Sequence, residues 1–348
     1  GEAAPEPVQT VSRPGFDVRL TLSTPATFGR ALRPELAAPA PAAAGPSGEA
    51  AAPDAPPALA PPALAPPAEP AAPAAPAALS YTALELYRRC GYRFHVQRVL
   101  GLPDRPAPPG AQPADAGERG GLSARVRGVV VHALLEELDL GAPARPPDPD
   151  RIRALARREG ARAGEADVQH VARLVAALSA SEPGRRLAAA RRLRREHEFA
   201  FTLDGELLVG VVDALAVEPD GGWLVVDFKT DRLPGDADVE ALVARDYAIQ
   251  RDLYALAALR AGAPRVEVVH LFLERPDAPA SAAFGPGDVA ALEARVRALT
   301  GPLARGEHPL AAHPHAGICA TCPARGGPCP YPEELTLRRE GHGPPAVT

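Results

Sequence analysis

A single lysine stands in a chain whose other cationic side chains are arginine. Lys229 is the only lysine among the 38 lysine and arginine residues of the 348-residue sequence. It lies in the segment VVDFKTDR (225–232), two residues after Asp227. An ammonium group differs from a guanidinium group because it can lose its proton where its surroundings favour the neutral form. The placement of Lys229 beside a carboxylate therefore indicates a site that handles a proton or a water molecule.

A second carboxylate is predicted to face Asp227. The segment EPDGG (218–222) has the residue types of a three-residue hairpin loop with a bulge at Gly221. Pairing the two strands outward from this loop places Asp213 opposite Asp227. Directly opposed residues have Cβ atoms about 4.5–5.5 Å apart, and like charges there repel. Lys229 shares the face of Asp227 because residues i and i+2 of a strand point the same way.

Two carboxylates and one amine on the same patch of a sheet suit metal chemistry. Carboxylate oxygens are the ligands that Mg²⁺ prefers, and a neighbouring amine can position or activate water. The alternative is an ion-paired strand face, in which the lysine only neutralises the two aspartates. That alternative does not explain why arginine, which pairs with carboxylates better, is replaced only here.

The hydrophobic pattern predicts the elements that position these residues. Helical patterns cover 79–102, with Ser80 as N-cap, and 123–140, again with a serine at its start. Further helical patterns cover 151–195, 238–262 and 285–306. Strands are predicted at 196–203, 206–218, 222–231 and 265–274. Strands grouped centrally, with helices on either side and one helix as a crossover, predict an α/β or α+β sheet domain.

The first part of the chain has a different composition. Residues 37–79 are rich in proline and alanine and lack aromatic residues, so we expect a disordered, extended linker. Residues 1–36 contain one strand-like run, 16–23, and are interpreted as the remnant of a preceding domain. Residues 336–348 are interpreted as a tail. No signal-peptide pattern and no apolar run of about 18 residues occurs, which predicts a cytoplasmic protein without membrane association.

Positive charge is concentrated in one region of a chain whose net charge is −5. Residues 151–195 hold 12 arginines and four acidic residues, and the run 184–195 holds six arginines and no acidic residue. A solvated helix surface normally mixes charges of both signs, so the run favours contact with nucleic acid. A charged helix that only faces solvent is the alternative.

Four cysteines form the second candidate site. Cys319, Cys322 and Cys329 lie close together in the sequence, and Cys90 lies far upstream. Cysteines in a chain without secretion signals indicate metal binding rather than disulfides. Four thiolates suit tetrahedral zinc or a [4Fe–4S] cluster, and the spacing alone does not decide between them. Free thiols are the third interpretation.

The order of these motifs resembles a known enzyme family. Asp213 followed by Asp227-Phe228-Lys229 resembles the catalytic core of the PD-(D/E)XK nucleases, and DFKTD is similar to their RecB-type branch. That branch has a G-x-x-x-H motif upstream and a Q-x-x-x-Y motif downstream. The matching residues here are Gly128, His132, Gln250 and Tyr254. The resemblance implies a restriction-endonuclease-like mixed sheet flanked by helices over residues 80–335.

The resemblance also implies roles for these side chains. A Mg²⁺ or Mn²⁺ ion is expected to bind His132, Asp213, Asp227 and the carbonyl group of Phe228. Lys229 is expected to orient or deprotonate the attacking water. Gln250 and Tyr254 are expected to hold the nucleic-acid strand or to support the metal ligands.

The cysteine distribution is similar to the iron–sulfur staple of some RecB-type nucleases. This similarity favours a [4Fe–4S] cluster bound by Cys90, Cys319, Cys322 and Cys329, with zinc as the alternative. In those nucleases a proline usually follows the first cysteine, whereas Gly91 follows Cys90 here.

The function implied is that of a metal-dependent deoxyribonuclease. The expected context is the nuclease module of a DNA repair and recombination helicase–nuclease acting on DNA, in particular single-stranded DNA. No GxxxxGK[ST] phosphate loop can exist when Lys229 is the only lysine, so an ATP-driven helicase is expected as another domain or subunit. A free-standing single-strand exonuclease and a non-catalytic DNA-binding module with a structural cluster are the alternatives.

Overall fold

A computed structural model describes residues 8–13, 16–21, 78–108, 121–142 and 145–339. The chain divides into two compact units, Gly1–Ala74 and Ala75–Thr348. In the first unit, β1 (Val8–Arg13) pairs antiparallel with β2 (Phe16–Thr21), so the strand predicted at 16–23 is present through residue 21. The predicted linker at 37–79 lies outside the described residues except for its last two positions, and it stays a prediction.

A six-stranded mixed sheet forms the centre of the second unit. Its strands are β3 (Leu79–Ser80), β4 (Arg192–Leu203), β5 (Glu206–Val217), β6 (Trp223–Lys229), β7 (Val266–Phe272) and β8 (Ala280–Phe284). The strand order is β3-β5-β6-β7-β8, with β4 also paired to β5. Antiparallel hairpins join β4 to β5, β5 to β6 and β7 to β8, whereas β6 and β7 run parallel. The prediction of a central mixed sheet is confirmed.

Helices flank this sheet. They are α1 (Tyr81–Arg89), α2 (Gly91–Phe94), α3 (Ala124–Glu137), α4 (Pro149–Arg158), α5 (Glu165–Ala180), α6 (Glu182–Ala189), α7 (Val239–Asp246), α8 (Ala248–Arg260), α9 (Val289–Ala304), α10 (Ala316–Cys319) and α11 (Glu333–Thr336). Apolar side chains of α3 to α6 form one buried cluster with alternate residues of β5, β6 and β7. Residues of α7 form a smaller cluster with Phe272 and Ala280 on the strands β7 and β8. Helices therefore cover the sheet at both faces.

Two predicted helices are interrupted at side chains that belong to candidate sites. The helix predicted at 79–102 breaks at Cys90, whose backbone is extended (φ −161°, ψ 102°) and whose Sγ accepts a hydrogen bond from the amide of Arg93. The helix predicted at 238–262 breaks at Tyr247. The predicted N-caps are confirmed: Ser80 Oγ accepts from the amide of Ala83 at 3.2 Å, and a serine also caps α3.

The helix predicted at 151–195 is wrong at its end. Helices α4, α5 and α6 occupy its first part, but Arg192–Arg195 form the beginning of β4. Here Leu193 packs on the core between two arginines, which is the period-two pattern of a strand. Part of the arginine run also has internal partners. Arg186 binds Glu218 and Glu267 at 2.8 Å, and Arg195 donates to the carbonyl oxygen of Glu136 at 2.9 Å.

Strands β3 and β8 were not predicted from the sequence. Strand β3 is two residues long and β8 has the sequence ASAAF, so neither carries the branched side chains that mark strands. None of the helices that the structure describes combines the length and the apolar character that a membrane span requires.

Candidate active site

The hairpin between β5 and β6 has the predicted register. Ala214 pairs with Val226 and Val217 with Trp223, and Gly221 in the loop has the positive φ of 90° that favours glycine. Continued by one residue, this register would place Asp213 opposite Asp227. The paired residues end at Ala214 and Val226, so the direct facing of the two aspartates stays a prediction. The parallel neighbour β7 places His270 beside Asp227.

The hairpin between β4 and β5 adds a third carboxylate. Its two-residue turn is Asp204-Gly205, with φ values of 50° and 86°. The pairs Arg195↔Ala214 and His197↔Val212 flank Glu196 and Asp213, which are therefore opposite each other. We call the side chains of Glu196, Asp213, Asp227 and His270, which lie at one level across β4 to β7, the carboxylate row. Glu196 was not predicted from the sequence, although counting back from the Asp-Gly turn would have found it.

A gap along one edge of β5 makes room for the site. Strand β6 pairs with residues 214–217 of β5, and β3 pairs with residues 208–209. Within the described part of the chain, residues 210–213 therefore have no strand beside them on this edge. Side chains of the site form hydrogen bonds with backbone groups that have no strand partner at this gap. The amide of Phe228 donates to Asp213 Oδ2 at 2.6 Å, and the Tyr254 hydroxyl donates to the carbonyl oxygen of Val211 at 2.8 Å. Because β5 and β6 separate here, side chains rather than a neighbouring strand satisfy these backbone groups, and the site lies within the sheet.

His132 reaches the carboxylate row from α3. Its Nε2 lies 3.1 Å from the carbonyl oxygen of Phe228, and its Nδ1 lies 3.5 Å from Asp213 Oδ1. Burial alone would lower the pKa of His132, but the carboxylates of Asp213, Asp227 and Glu196 outweigh it and leave the pKa above its ordinary value. The structure therefore brings together three of the four predicted ligands, His132, Asp213 and the carbonyl group of Phe228.

One group of donors in the row fits a metal ion. His132, Glu196 and Asp213 each offer one atom, and these atoms lie within 4.8 Å of one another. Carboxylate oxygens and an imidazole nitrogen are suitable ligands for Mg²⁺ or Mn²⁺. Asp227 is not part of this group in the described residues, so its role as a ligand stays a prediction.

Asp227 instead belongs to a closed network with Lys229. Lys229 Nζ lies 2.7 Å from Asp227 Oδ2, donates to Gln250 Oε1 at 2.9 Å and lies 4.2 Å from the ring centre of Tyr247. Gln250 Nε2 donates to the other oxygen of Asp227 at 2.7 Å, and the hydroxyl of Tyr254 lies 3.3 Å from that oxygen. Of the two roles expected for Gln250 and Tyr254, these contacts favour support of Asp227 and Lys229.

The two aspartates have opposite electrostatic surroundings. Burial and the neighbouring charge of Asp227 raise the pKa of Asp213. Burial would raise the pKa of Asp227 as well, but the ammonium of Lys229 outweighs it and lowers this pKa. The pKa of Glu196 is raised by burial and by Asp213. A cation near Asp213 and Glu196 would relieve the repulsion between them.

His270 is a further residue that was not predicted from the sequence. It is 0% exposed, and neither ring nitrogen has a hydrogen-bond partner within the described part of the chain. Burial lowers the pKa of His270 to about 4, so the ring is neutral near pH 7. No sequence motif marked this residue, because a histidine in an apolar strand usually packs in the core.

The four cysteines line one pocket at the other candidate site. Cys90, Cys319, Cys322 and Cys329 surround it together with Tyr92, Arg93 and Ile318, among others. All four are free, and Cys329 is half-buried whereas the others are buried. Burial raises the pKa of Cys319 to about 11, and the neighbouring thiols add to this effect. Four thiols in one pocket are a donor set suited to a metal cluster.

Hydrogen bonds join the two segments that form this pocket. The amide of Tyr92 donates to the carbonyl oxygen of Pro309 at 3.1 Å, and Arg93 Nη2 donates to Thr321 Oγ1 at 2.9 Å. The close approach of these segments also explains why Gly91, rather than a proline, follows Cys90. A Cβ atom there would lie 2.6 Å from Pro309 Cδ, so this backbone leaves no space for a side chain.

A mixed sheet with opposed carboxylates, a lysine and a histidine at the diverging edge of a hairpin defines a metal-dependent nuclease class. The profile of the PD-(D/E)XK nuclease superfamily matches residues 78–327, and the chain belongs to this superfamily. Membership confirms the predicted fold class and the predicted family.

Similar proteins are subunits of helicase–nucleases. The chain is 39% identical over 186 residues to the A subunit of the ATP-dependent helicase/nuclease of Desulforudis audaxviator, covering 48% of this chain and 14% of that protein. It is 29% identical over 160 residues to the corresponding protein of Bacillus cereus strain AH187, covering 40% of this chain and 13% of that protein. The chain thus spans a small part of the length of these relatives. An exonuclease structure from Eubacterium rectale is 11% identical with a TM-score of 0.40, covering 66% of this chain and 82% of that one.

Proposed function

We propose that residues 78–339 form a Mg²⁺- or Mn²⁺-dependent deoxyribonuclease that hydrolyses phosphodiester bonds. The observation that carries this proposal is the convergence of four functional groups where β6 ends. His132 and Asp213 lie 3.5 Å apart, Asp213 accepts from the amide of Phe228, and Lys229 lies 2.7 Å from Asp227. These groups come from α3, β5 and β6, and the hairpin between β5 and β6 sets the register of the two strands.

The donor set fits a divalent cation. His132, Asp213, Asp227 and the carbonyl group of Phe228 would hold it. When bound, the ion polarises the scissile phosphate and stabilises the charge that develops on the phosphate and on the departing oxygen.

Lys229 is proposed to orient or deprotonate the attacking water. Its ammonium is fixed by Asp227 and Gln250, at 2.7 and 2.9 Å, and its side chain is only 13% exposed. The amine is therefore held with little freedom, which reduces the entropy lost when it aligns a water molecule. Gln250 and Tyr254 are proposed to keep Asp227 and Lys229 in this arrangement.

We propose that the domain works as the nuclease module of a helicase–nuclease in DNA repair and recombination. The relatives whose names support this proposal are the helicase/nuclease subunits. DNA, in particular single-stranded DNA, is the proposed substrate, and an ATP-driven helicase domain or subunit is the proposed partner. Arginines of the region 151–195 that are exposed are proposed to contact the phosphate backbone, which predicts affinity that falls with salt concentration.

Cleavage assays on two aspartate variants test the proposal. We expect the parent protein to cleave a labelled oligonucleotide with Mg²⁺ or Mn²⁺, and Asp213→Ala and Asp227→Ala to lose cleavage but keep DNA binding. Asp236→Asn, a change at an exposed position of the loop before α7, is the matched control. Binding without cleavage by the parent would instead favour the non-catalytic DNA-binding module. Full activity of either alanine variant would contradict the site assignment.

We also propose that Cys90, Cys319, Cys322 and Cys329 bind a [4Fe–4S] cluster. The shared pocket supports a common ligand for the four sulfur atoms, and zinc is the alternative. Anaerobically purified protein is expected to be brown, with about four iron and four sulfide ions per chain. Stoichiometric zinc and a colourless protein would favour the zinc site.

A further inference from the structure

Glu196 differs from the two other carboxylates of the carboxylate row. The carboxylate of Asp213 accepts the amide of Phe228, and that of Asp227 binds Lys229 and Gln250. Glu196 has no hydrogen-bond or ion-pair partner among the residues that the structure describes, although its carboxylate lies beside His132 and Asp213. Carboxylates directly opposite each other repel, and a cation beside Glu196 and Asp213 would add to the compensation that the imidazole of His132 provides.

The backbone of Glu196 also departs from its strand. Its φ is +45°, whereas its neighbours Arg195 and His197 keep the ladder register with Ala214 and Val212. A residue with a side chain rarely adopts a positive φ inside a strand, because the Cβ atom crowds the backbone. The change in backbone conformation is confined to Glu196, since the strand register is the same before and after this residue. Its effect is to place the carboxylate of Glu196 in the donor group with His132 and Asp213.

Resting on the proposed function, we propose that Glu196 is a ligand of the divalent cation. His132, Asp213 and Glu196 then supply three donors, and these atoms already lie within 4.8 Å of one another. Asp227, which stays in the proposed ligand set, also fixes the lysine beside the ion, because Lys229 and Gln250 bind its oxygen atoms. The metal site thereby extends over three strands rather than two.

Binding of Mn²⁺, measured by calorimetry, tests this assignment without relying on cleavage. We expect Glu196→Gln to weaken Mn²⁺ binding by about tenfold or more, the usual scale for losing a group at a metal site. Glu198→Gln, at an exposed position two residues further along β4, is the matched control and should bind Mn²⁺ like the parent. His132→Ala is the positive control and should also bind more weakly.

Glu196→Gly separates a ligand from a structural residue. Glycine accepts a positive φ, so this variant should melt at a higher temperature than the parent in EDTA, yet gain less stability when Mn²⁺ is added. A lower melting temperature in EDTA together with unchanged Mn²⁺ binding would show a structural role and overturn the proposal.

The remaining outcomes are also decisive. Mn²⁺ binding by Glu196→Gln within twofold of the parent, while His132→Ala binds weakly, would overturn the role of Glu196 and leave the proposed function intact. If the parent itself bound no Mn²⁺, the proposed function would fail together with this inference.

Discussion

The carboxylate row and the cysteine pocket are built by opposite strategies. The row is positioned by backbone pairing: two hairpins fix Glu196, Asp213 and Asp227 at one level, and each hairpin closes within a few residues. The pocket joins Cys90 to three cysteines near the other end of the domain, and the contacts between these segments come from loops and short helices. A sheet can hold its site before any ion binds, whereas loops gain most from a ligand that ties them together.

The metal at the carboxylate row and the metal in the cysteine pocket are therefore expected to have different roles. The ion at the row would bind to a site that the fold supplies, so it should matter for chemistry and little for folding. The cluster in the pocket would link the two segments that carry the cysteines, so its loss should lower the free energy of unfolding.

Lys229→Arg should be nearly as inactive as Lys229→Ala. Arginine keeps the positive charge, but its planar guanidinium is larger and does not lose a proton at accessible pH. Loss of general acid–base help typically lowers the rate by about 10²–10⁴-fold. Single-turnover cleavage of a labelled oligonucleotide by both variants provides the measurement, and the melting temperature should stay near that of the parent. An arginine variant within a few-fold of the parent would reduce the role of Lys229 to its charge.

Cys90→Ala should destabilise the domain while leaving the row's residues untouched. Loss of a ligand to a structural cluster belongs to the changes that cost about 4 kcal/mol or more. Chemical denaturation measures this loss, and iron content reports the cluster in the same sample. Ala312→Ser, at an exposed position of the segment before Cys319, is the control. An unchanged unfolding midpoint for Cys90→Ala would show that the cysteines do not stabilise the domain through a shared ligand.

Asp213→Asn should stabilise the metal-free protein and destabilise the metal-bound one. The folded-state pKa of Asp213 is raised by burial and by Asp227, so its contribution to stability is greatest below the unfolded-state value and is lost as pH rises through the folded-state pKa. Asparagine does not titrate. The advantage of the variant in EDTA should therefore grow as the pH rises above about 4. Thermal melts in EDTA and in Mn²⁺ over a pH series check both signs.

An advantage of Asp213→Asn that stayed constant with pH would show that the carboxylate charge is not the cause. Asp227 provides the contrast within the same row. Its pKa is lowered by Lys229, so its carboxylate contributes stability above the ordinary value and loses it as the pH falls. Asp227→Asn should consequently lower the melting temperature near pH 7.

Much of the row could be predicted from the sequence because hairpins are local. The loop EPDGG set the register of β5 on β6, and Lys229 marked the strand that carries the site. Glu196 could have been found by the same arithmetic from the Asp-Gly turn at 204–205. Its positive φ could not, because glutamate rarely adopts this conformation and no residue type marks the position.

The rest of the fold depends on contacts that sequence patterns do not record. The breaks at Cys90 and Tyr247 interrupt segments with a continuous helical pattern, and each places a side chain at a site. Arg192 and Arg194 fit a helical pattern as well as a strand, because the apolar residue between them is a single leucine. His270 carries no signal in a strand of apolar residues, and only its unpartnered nitrogens draw attention to it.

Substitutions of two glycines, one at the cysteine pocket and one on α3 near the carboxylate row, should have small effects of opposite sign on stability. A Cβ atom on Gly91 would lie 2.6 Å from Pro309 Cδ, whereas one on Gly128 would meet only Thr230 Oγ1, at 3.4 Å. Gly91→Ala should therefore destabilise the cysteine pocket. Gly128→Ala should stabilise α3 by about 0.5–1 kcal/mol, because glycine costs about this much inside a helix.

We propose that the glycine at 128, one turn before His132, leaves room for a nucleic-acid strand beside the helix. We expect Gly128→Ala to unfold at higher denaturant concentration, to bind Mn²⁺ like the parent and to bind a single-stranded oligonucleotide more weakly. Unchanged oligonucleotide affinity in the stabilised variant would show that the substrate does not approach α3 there. A loss of stability would mean instead that this helix is packed more tightly than the neighbouring Thr230 indicates.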